Sequence, residues 1–157
     1  MTEGETMKAY FYKSPRNVEI IEREKPIPKD NEVLIRVKNI GICGSDIALY
    51  NGTYSGPHNY PMLFGHEWSG IVVKVGKNVI GFSVGDKVTG DCSRYCGTCE
   101  YCKTDRNLCE HIEKFGITID GASAEYIVRD AKYVYKAPKE LDFDLICLAE
   151  PIAVAAH

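Results

Sequence analysis

Leu63-Phe64-Gly65-His66-Glu67-Trp68-Ser69-Gly70 is the stretch around which the 157-residue chain is organised, together with Gly41-Ile42-Cys43-Gly44-Ser45-Asp46 before it and Ala149-Glu150-Pro151 after it. These short glycine-flanked segments bring a thiolate, an imidazole and carboxylates into one chain. Such donors are what a zinc ion takes when one coordination position is left for substrate, so Cys43, His66, Glu67 and Glu150 are candidate ligands of a catalytic metal. Each piece alone is weak, because a single Cys is more often a small buried residue and a His-Glu pair is commonly found on a surface. Their combination carries the chemistry.

A second constellation is denser. Of seven cysteines, an odd number, five crowd between Cys92 and Cys109, and no secretory signal precedes them. In a reducing compartment that crowding points to metal binding rather than disulfides. Cys96, Cys99, Cys102 and Cys109 stand in the pattern C-x2-C-x2-C-x6-C. Two-residue spacers let successive thiolates fold round one ion, and four thiolates close its shell, so a structural metal lobe is expected over residues 92–109. Tetrahedral sulfur also holds iron, and a zinc ribbon would suggest nucleic acid. The acidic balance and the lack of clustered Lys and Arg argue against the latter.

The rest of the chain reads as many short strands. Met7–Tyr12 and Val18–Glu24 flank the turn cluster Ser14-Pro15-Arg16-Asn17 and form a hairpin or successive strands; the six residues before Met7 add no pattern and read as a disordered extension. From Glu32 the chain alternates imperfectly, with Val33, Ile35 and Val37 on one face and Leu34, Arg36 and Lys38 on the other. Ser45–Tyr50 suits a short helix ended by Asn51-Gly52, and His58 sits in a loop as a solvated residue. Trp68–Val75 and Val84–Val88 follow as strands. Ile117–Ile119 and Ala124–Val128 flank Asp120-Gly121, a dipeptide suited to a hairpin turn, and Tyr133–Tyr135 is one more strand. Pro151 is placed to be the first residue of a helix running to His157. The expected fold is mainly β, barrel-like, with short helices. A helix of under two turns at a terminus is marginal in water, which suggests a chain cut inside a longer one.

The formal charge of −3 has interspersed signs, so nucleic acid and anionic membrane are unfavoured partners. The polar, acidic N-terminus lacks the apolar stretch of a signal peptide. No apolar run approaches the roughly 20 residues of a membrane span, and a cytoplasmic location is expected.

Gly65-His66-Glu67-x-x-Gly70-x5-Gly76-x-x-Val79, preceded by Gly-Ile-Cys-Gly-Ser-Asp and followed by the four-cysteine lobe, resembles the signature of the zinc-containing medium-chain alcohol dehydrogenases. The resemblance implies a GroES-like barrel carrying one catalytic and one structural zinc, with Cys43 and His66 as ligands and Glu67 as a carboxylate that ligates or exchanges with water. It further implies that Asp46 holds the ring of His66, that Ser45 passes the alcohol proton outward, and that Cys96, Cys99, Cys102 and Cys109 hold the structural ion. There are departures. The family usually has seven residues before the last lobe cysteine and this chain has six, which leaves Cys92 as a spare thiol that could substitute; Cys147 is read as a buried or free thiol. Ala48 stands where ethanol-type members complete the proton relay with His, and Glu150 where they have a second Cys. Glu150-Pro151 is similar to the polyol, sugar and threonine dehydrogenases instead. No G-x-G-x-x-G segment is present, so the Rossmann domain that binds NAD(P) in this family is absent from residues 1–157. The implied function is the catalytic domain of a zinc-dependent, NAD(P)-dependent polyol or sugar-alcohol dehydrogenase, inactive alone and a homo-oligomer at full length. Threonine 3-dehydrogenase is the alternative within the same chemistry, and a non-catalytic zinc-binding module is the alternative of another class.

Overall fold

The structure, a computed structural model, describes residues 4–156. Its elements follow the alternation of apolar residues. β1 (Thr6–Ser14) and β2 (Asn17–Glu24) form the expected hairpin, and β1 also pairs with β4 (Met62–Leu63). A second, five-stranded antiparallel sheet runs in the order β10 (Val134–Lys136), β6 (Lys87–Gly90), β5 (Trp68–Val75), β3 (Glu32–Ile40), β9 (Tyr126–Asp130). Both sheets face one core. Met7, Ala9 and Leu63 from the first meet Val33, Ile35, Trp68, Val72, Val88 and Ile127 from the second. Fully burying side chains of this size contributes about 1.5–3 kcal/mol each, so this shared interior holds the two sheets face to face. Tyr10 donates to the Ser123 carbonyl (2.7 Å) and Glu125 to that of Lys8 (3.0 Å), joining β1 to the segment that leads into β9 and closing the barrel along that side.

Short helices complete a mainly β fold: α1 (Gly44–Asn51), α2 (Phe143–Cys147) and α3 (Ala149–Ala156). A smaller apolar cluster of Tyr12, Leu49, Met62 and Ile117, flanked by Tyr54, Tyr60 and Phe64, seats α1 against β1 and β4. Phe64 stacks on Tyr12 at 4.4 Å. β7 (Ser93–Arg94) and β8 (Glu113–Lys114) pair at the root of the cysteine lobe. No helix among the described residues is long and apolar enough to cross a membrane.

Several expectations are corrected. Asp120-Gly121 does not turn a hairpin, because its backbone bonds elsewhere. Gly121 donates to the Leu63 carbonyl (2.7 Å), the Asp120 carboxylate accepts from the Leu63 N–H (3.0 Å), and a Cβ on Gly121 would lie 2.3 Å from the Phe64 carbonyl oxygen. The strand after it, β9, pairs with β3 instead. Val84–Asp86 is a turn, with the Asp86 carboxylate accepting from the Ser83 N–H, and the strand begins only at Lys87. Leu34 is buried although its alternation phase is that of Arg36. Glu5 and Thr6 are not an extension: Thr6 opens β1, and Glu5 accepts from the Lys25 N–H. The first three residues and His157 lie outside the described residues. The last helix starts at Ala149, so Pro151 sits inside its first turn rather than at its first position. His58 is exposed, its Nδ1 2.8 Å from the Gly56 carbonyl.

Candidate functional site

Two loops and the start of a strand build the first site. Cys43 precedes α1, and His66 and Glu67 lie just before β5. One ligand atom from each of Cys43, His66 and Glu67 falls within 4.8 Å of the others. Asp46, fully buried, sets the spacing: its carboxylate accepts from the Cys43 N–H (2.9 Å) and the Gly65 N–H (3.4 Å), so one side chain ties the thiolate loop to the imidazole loop. Burial raises the Asp46 pKa, and the two N–H groups and the nearby His66 oppose the rise. The expected Asp46–His66 hydrogen bond is absent among the described residues. Gly41 is fitted to the site, since a Cβ there would lie 2.2 Å from a Glu67 carboxylate oxygen while its N–H donates to the Glu67 carbonyl (2.8 Å).

The donors suit a metal. His66 Nδ1 and Ser45 Oγ are buried without a protein partner, and buried polar atoms are rarely left so. Thiolate, imidazole and carboxylate together form the set expected of a zinc site with an open position. Ser45 and His66 face a cleft of about 350 Å³, also lined by Tyr54, Cys92, Ser93, Asn107, Lys114 and Glu150. Glu150 therefore shares the cleft but stands outside the three-residue group. Cys147, buried and free, lies near Gly41 and Glu67, and burial raises its pKa.

In the lobe, Cys96, Cys99, Cys102 and Cys109 come together as a second group. The Cys96–Cys102 and Cys99–Cys102 sulfurs lie 3.8 and 3.5 Å apart. A tetrahedron with metal–sulfur bonds of about 2.3 Å has edges of about 3.8 Å, so the pocket is sized for one ion. Backbone N–H groups of Thr98 and Cys99 and the Thr98 hydroxyl point at the Cys96 sulfur and pull its pKa down to about 5. Desolvation pushes Cys102 up to about 12. The six-residue spacer closes through two short 3-10 turns, Tyr101–Lys103 and Arg106–Leu108. Cys92 takes no place in this group; it lines the cleft beside Glu150, 3.7 Å from the Ser93 hydroxyl, and burial raises its pKa.

Other residues that shape the site carry no sequence signal. Tyr54, Ser93, Asn107 and Lys114 reach the cleft only through the tertiary fold. Gly41 has a weak signal, a glycine next to a ligand segment. Arg129, on which the sequence reading is silent, is buried, donates to the Gly121 carbonyl (2.9 Å) and lies over the Phe115 ring (4.2 Å); burial lowers its pKa to about 10. It thereby braces the 120–123 segment that holds Leu63–Gly65.

Comparison with known proteins agrees with this architecture. The chain is 38% identical over 98% of its length to D-arabitol-phosphate dehydrogenase of Enterococcus avium, covering 45% of that protein. It is 39% identical over 87% of its length to sorbitol dehydrogenase of Halalkalibacterium halodurans, covering 40% of it. A zinc-binding dehydrogenase of Sinorhizobium meliloti 1021, solved bound to NADP, superposes with a TM-score of 0.90 at 34% identity, over 98% of this chain and 44% of that one. The chain thus spans less than half the length of the relatives it matches. The sequence model of the alcohol dehydrogenase GroES-like domain covers residues 29–139, and the chain belongs to that family.

Proposed function

We propose that this domain is the catalytic part of an oxidoreductase that converts a secondary alcohol, a polyol or sugar alcohol, into a ketone by passing hydride to NAD or NADP. The observation that supports it is the convergence of Cys43, His66 and Glu67 beside a cleft that Glu150 and Ser45 also line. Cys43, His66 and Glu67 would hold a catalytic zinc, with Glu150 as the further carboxylate available to it, and the four lobe cysteines would hold a structural one. When bound, the catalytic zinc supplies Lewis-acid stabilisation of negative charge on the alcohol oxygen.

The chain's own residues do the rest. Asp46 fixes the distance between the two ligand-bearing loops through their N–H groups. Ser45, its hydroxyl free of protein partners, stands next to the cleft to accept the alcohol proton. Ala48 has no group to continue that relay, so water carries the proton on. No segment here has the glycine spacing that cradles a dinucleotide, and the coenzyme is assigned to a nucleotide-binding domain of the full protein.

The test is metal analysis combined with turnover in the full protein. Two zinc ions per chain are expected. Cys43→Ser should remove one and leave the fold, whereas Cys99→Ser should remove the other and lower the melting temperature. Polyols, sugar alcohols and L-threonine, each offered with NAD and NADP, assign the substrate branch. Full zinc content in both variants, or no oxidation of any alcohol, would overturn the reading, the latter in favour of a zinc module without catalysis.

A further inference from the structure

Arg129 is a buried cation whose charge is not matched inside the barrel. It shares the inward face of β9 with Ile127. A guanidinium offers five N–H groups. The Val128 carbonyl takes one (3.0 Å), that of Gly121 a second (2.9 Å) and that of Asp120 a third (3.5 Å). Nε is buried with no partner. Neutral carbonyls bring no countercharge, and the Phe115 ring, 4.2 Å away, covers a face of the group and leaves its N–H edge free. With its pKa lowered only to about 10, Arg129 is still charged at neutral pH. It makes no ion pair among the described residues. Asp120 offsets part of the charge, but its carboxylate is already held by Arg23 (3.0 Å) and the Leu63 N–H (3.0 Å), and the neighbouring Arg94 adds positive charge. Buried charges are ordinarily paired.

A cavity of about 150 Å³ adjoins this guanidinium. Its lining includes buried Leu63 and Ile127 as well as Arg23 and Asp120, which are partly exposed, so it runs from the surface in to Arg129. A water takes about 30 Å³ in the liquid, so a hydrated ion of chloride size fits. A dianion does not suit it. The apolar wall offers no further donors, and the carboxylates of Asp120 and Glu24, which also line the cavity, repel a second negative charge.

We propose that this cavity binds a small monovalent anion of the chloride type, held by the Nε–H of Arg129 and drawn in past Arg23. Water could satisfy the unpartnered N–H but would leave the buried charge unmatched. An anion does both, and it steadies the 120–123 segment that Arg129 grips through the Gly121 carbonyl. The proposal does not depend on the dehydrogenase reading.

The experiment uses the full protein in two ways. Crystals soaked in sodium bromide should show an anomalous peak within hydrogen-bond distance of Arg129 Nε. Urea melts at constant ionic strength, with sodium chloride exchanged for the bulkier sodium morpholinoethanesulfonate, should show a saturable gain in stability. At chloride about ten times its dissociation constant, the folding equilibrium should move about tenfold toward the native state. Arg129→Met should abolish that chloride dependence whatever its own stability. Arg23→Gln keeps Arg129 but frees Asp120 to compete with the anion, and should raise the chloride needed several-fold; this variant serves where Arg129→Met does not fold. Water alone at Nε in the bromide crystals overturns the proposal. A bromide peak with no saturable chloride effect in solution means an adventitious ion only and overturns it as well, as does a chloride dependence unmoved in both variants.

Discussion

Replacing Gly41 by Ala tests how tightly the backbone around the Cys43–His66–Glu67 group is fitted to its carboxylate. The added methyl would lie 2.2 Å from a Glu67 carboxylate oxygen, 2.9 Å from the Glu67 Cβ and 3.2 Å from its carboxyl carbon. Unstrained carbon contacts fall near 3.5–4.0 Å, so the carboxylate must move by about 1 Å or more. The backbones cannot part easily, because the Gly41 N–H donates to the Glu67 carbonyl at 2.8 Å. Gly41 is not among the residues with positive φ, so alanine carries no backbone penalty of that kind and the cost is steric. Overpacking of this sort costs about 1–3 kcal/mol. A misplaced group at a metal site typically costs 10–100-fold in metal affinity.

The assay is a double-mutant cycle with Glu67→Ala, in urea denaturation at one fixed zinc concentration. Removing the carboxylate makes room for the methyl. Gly41→Ala should therefore be destabilising in the parent and nearly neutral in Glu67→Ala, a coupling of about 1–3 kcal/mol. Cobalt titration supplies the second readout: affinity at the Cys43 group falls, while the four-thiolate group, far from Gly41 in sequence and built from other residues, serves as internal control. Additive stabilities, or unchanged cobalt affinity at the Cys43 group, would refute the claim that Gly41 is glycine because Glu67 occupies its side-chain space.

Cys92→Ala should leave zinc content per chain unchanged, because Cys92 takes no place among the four lobe sulfurs; loss of one equivalent by atomic absorption would return Cys92 to the lobe. Lys136 lies 2.7 Å from the Asp86 carboxylate and, with the Ser83 N–H, holds its pKa below the ordinary carboxylate range. The folded value is thus lower than the unfolded one, so the pair's stabilisation is present above about pH 4 and is lost as pH falls through the folded value. Lys136→Met should cost about 0.2–1 kcal/mol at pH 6, a gap that closes in more acidic urea melts; a gap independent of pH would assign the effect to packing instead.

What could be read from the sequence is divided by range. Cys43 and His66 lie next to Gly44 and Gly65, and Glu67 follows directly, so their residue types and spacing point to a ligand set before any fold is known. The lobe is local in the same way, its four sulfurs falling within fourteen residues of one another. The β1–β2 hairpin and the strands centred on Ile35 and Val72 follow from alternation, because a buried core imposes it. Asp120-Gly121 misleads because a turn dipeptide states a local preference, while its N–H and carboxylate find partners at Leu63, more than fifty residues away. Leu34 breaks alternation, being buried in the phase of Arg36, whereas Arg129 keeps the phase of buried Ile127 and is hidden from a sequence reading only by its charge.

Asp46 shows why the site and the fold cannot be separated. A fully buried carboxylate is costly unless hydrogen bonds offset its desolvation, and those offered here are the N–H groups of Cys43 and Gly65, one from each ligand-bearing loop. The Gly65 loop is itself held by the 120–123 segment, through Ala122 and Ser123 N–H groups donating to the Phe64 carbonyl at 3.0 Å. Arg129 fastens that segment from behind through the Gly121 carbonyl. A charge on β9 thus bears on the Phe64-Gly65 segment just before His66 through consecutive hydrogen bonds. The spacing of Cys43, His66 and Glu67 is therefore set by the barrel's own backbone, and under the proposed function this would let a metal bound there keep a position open for substrate.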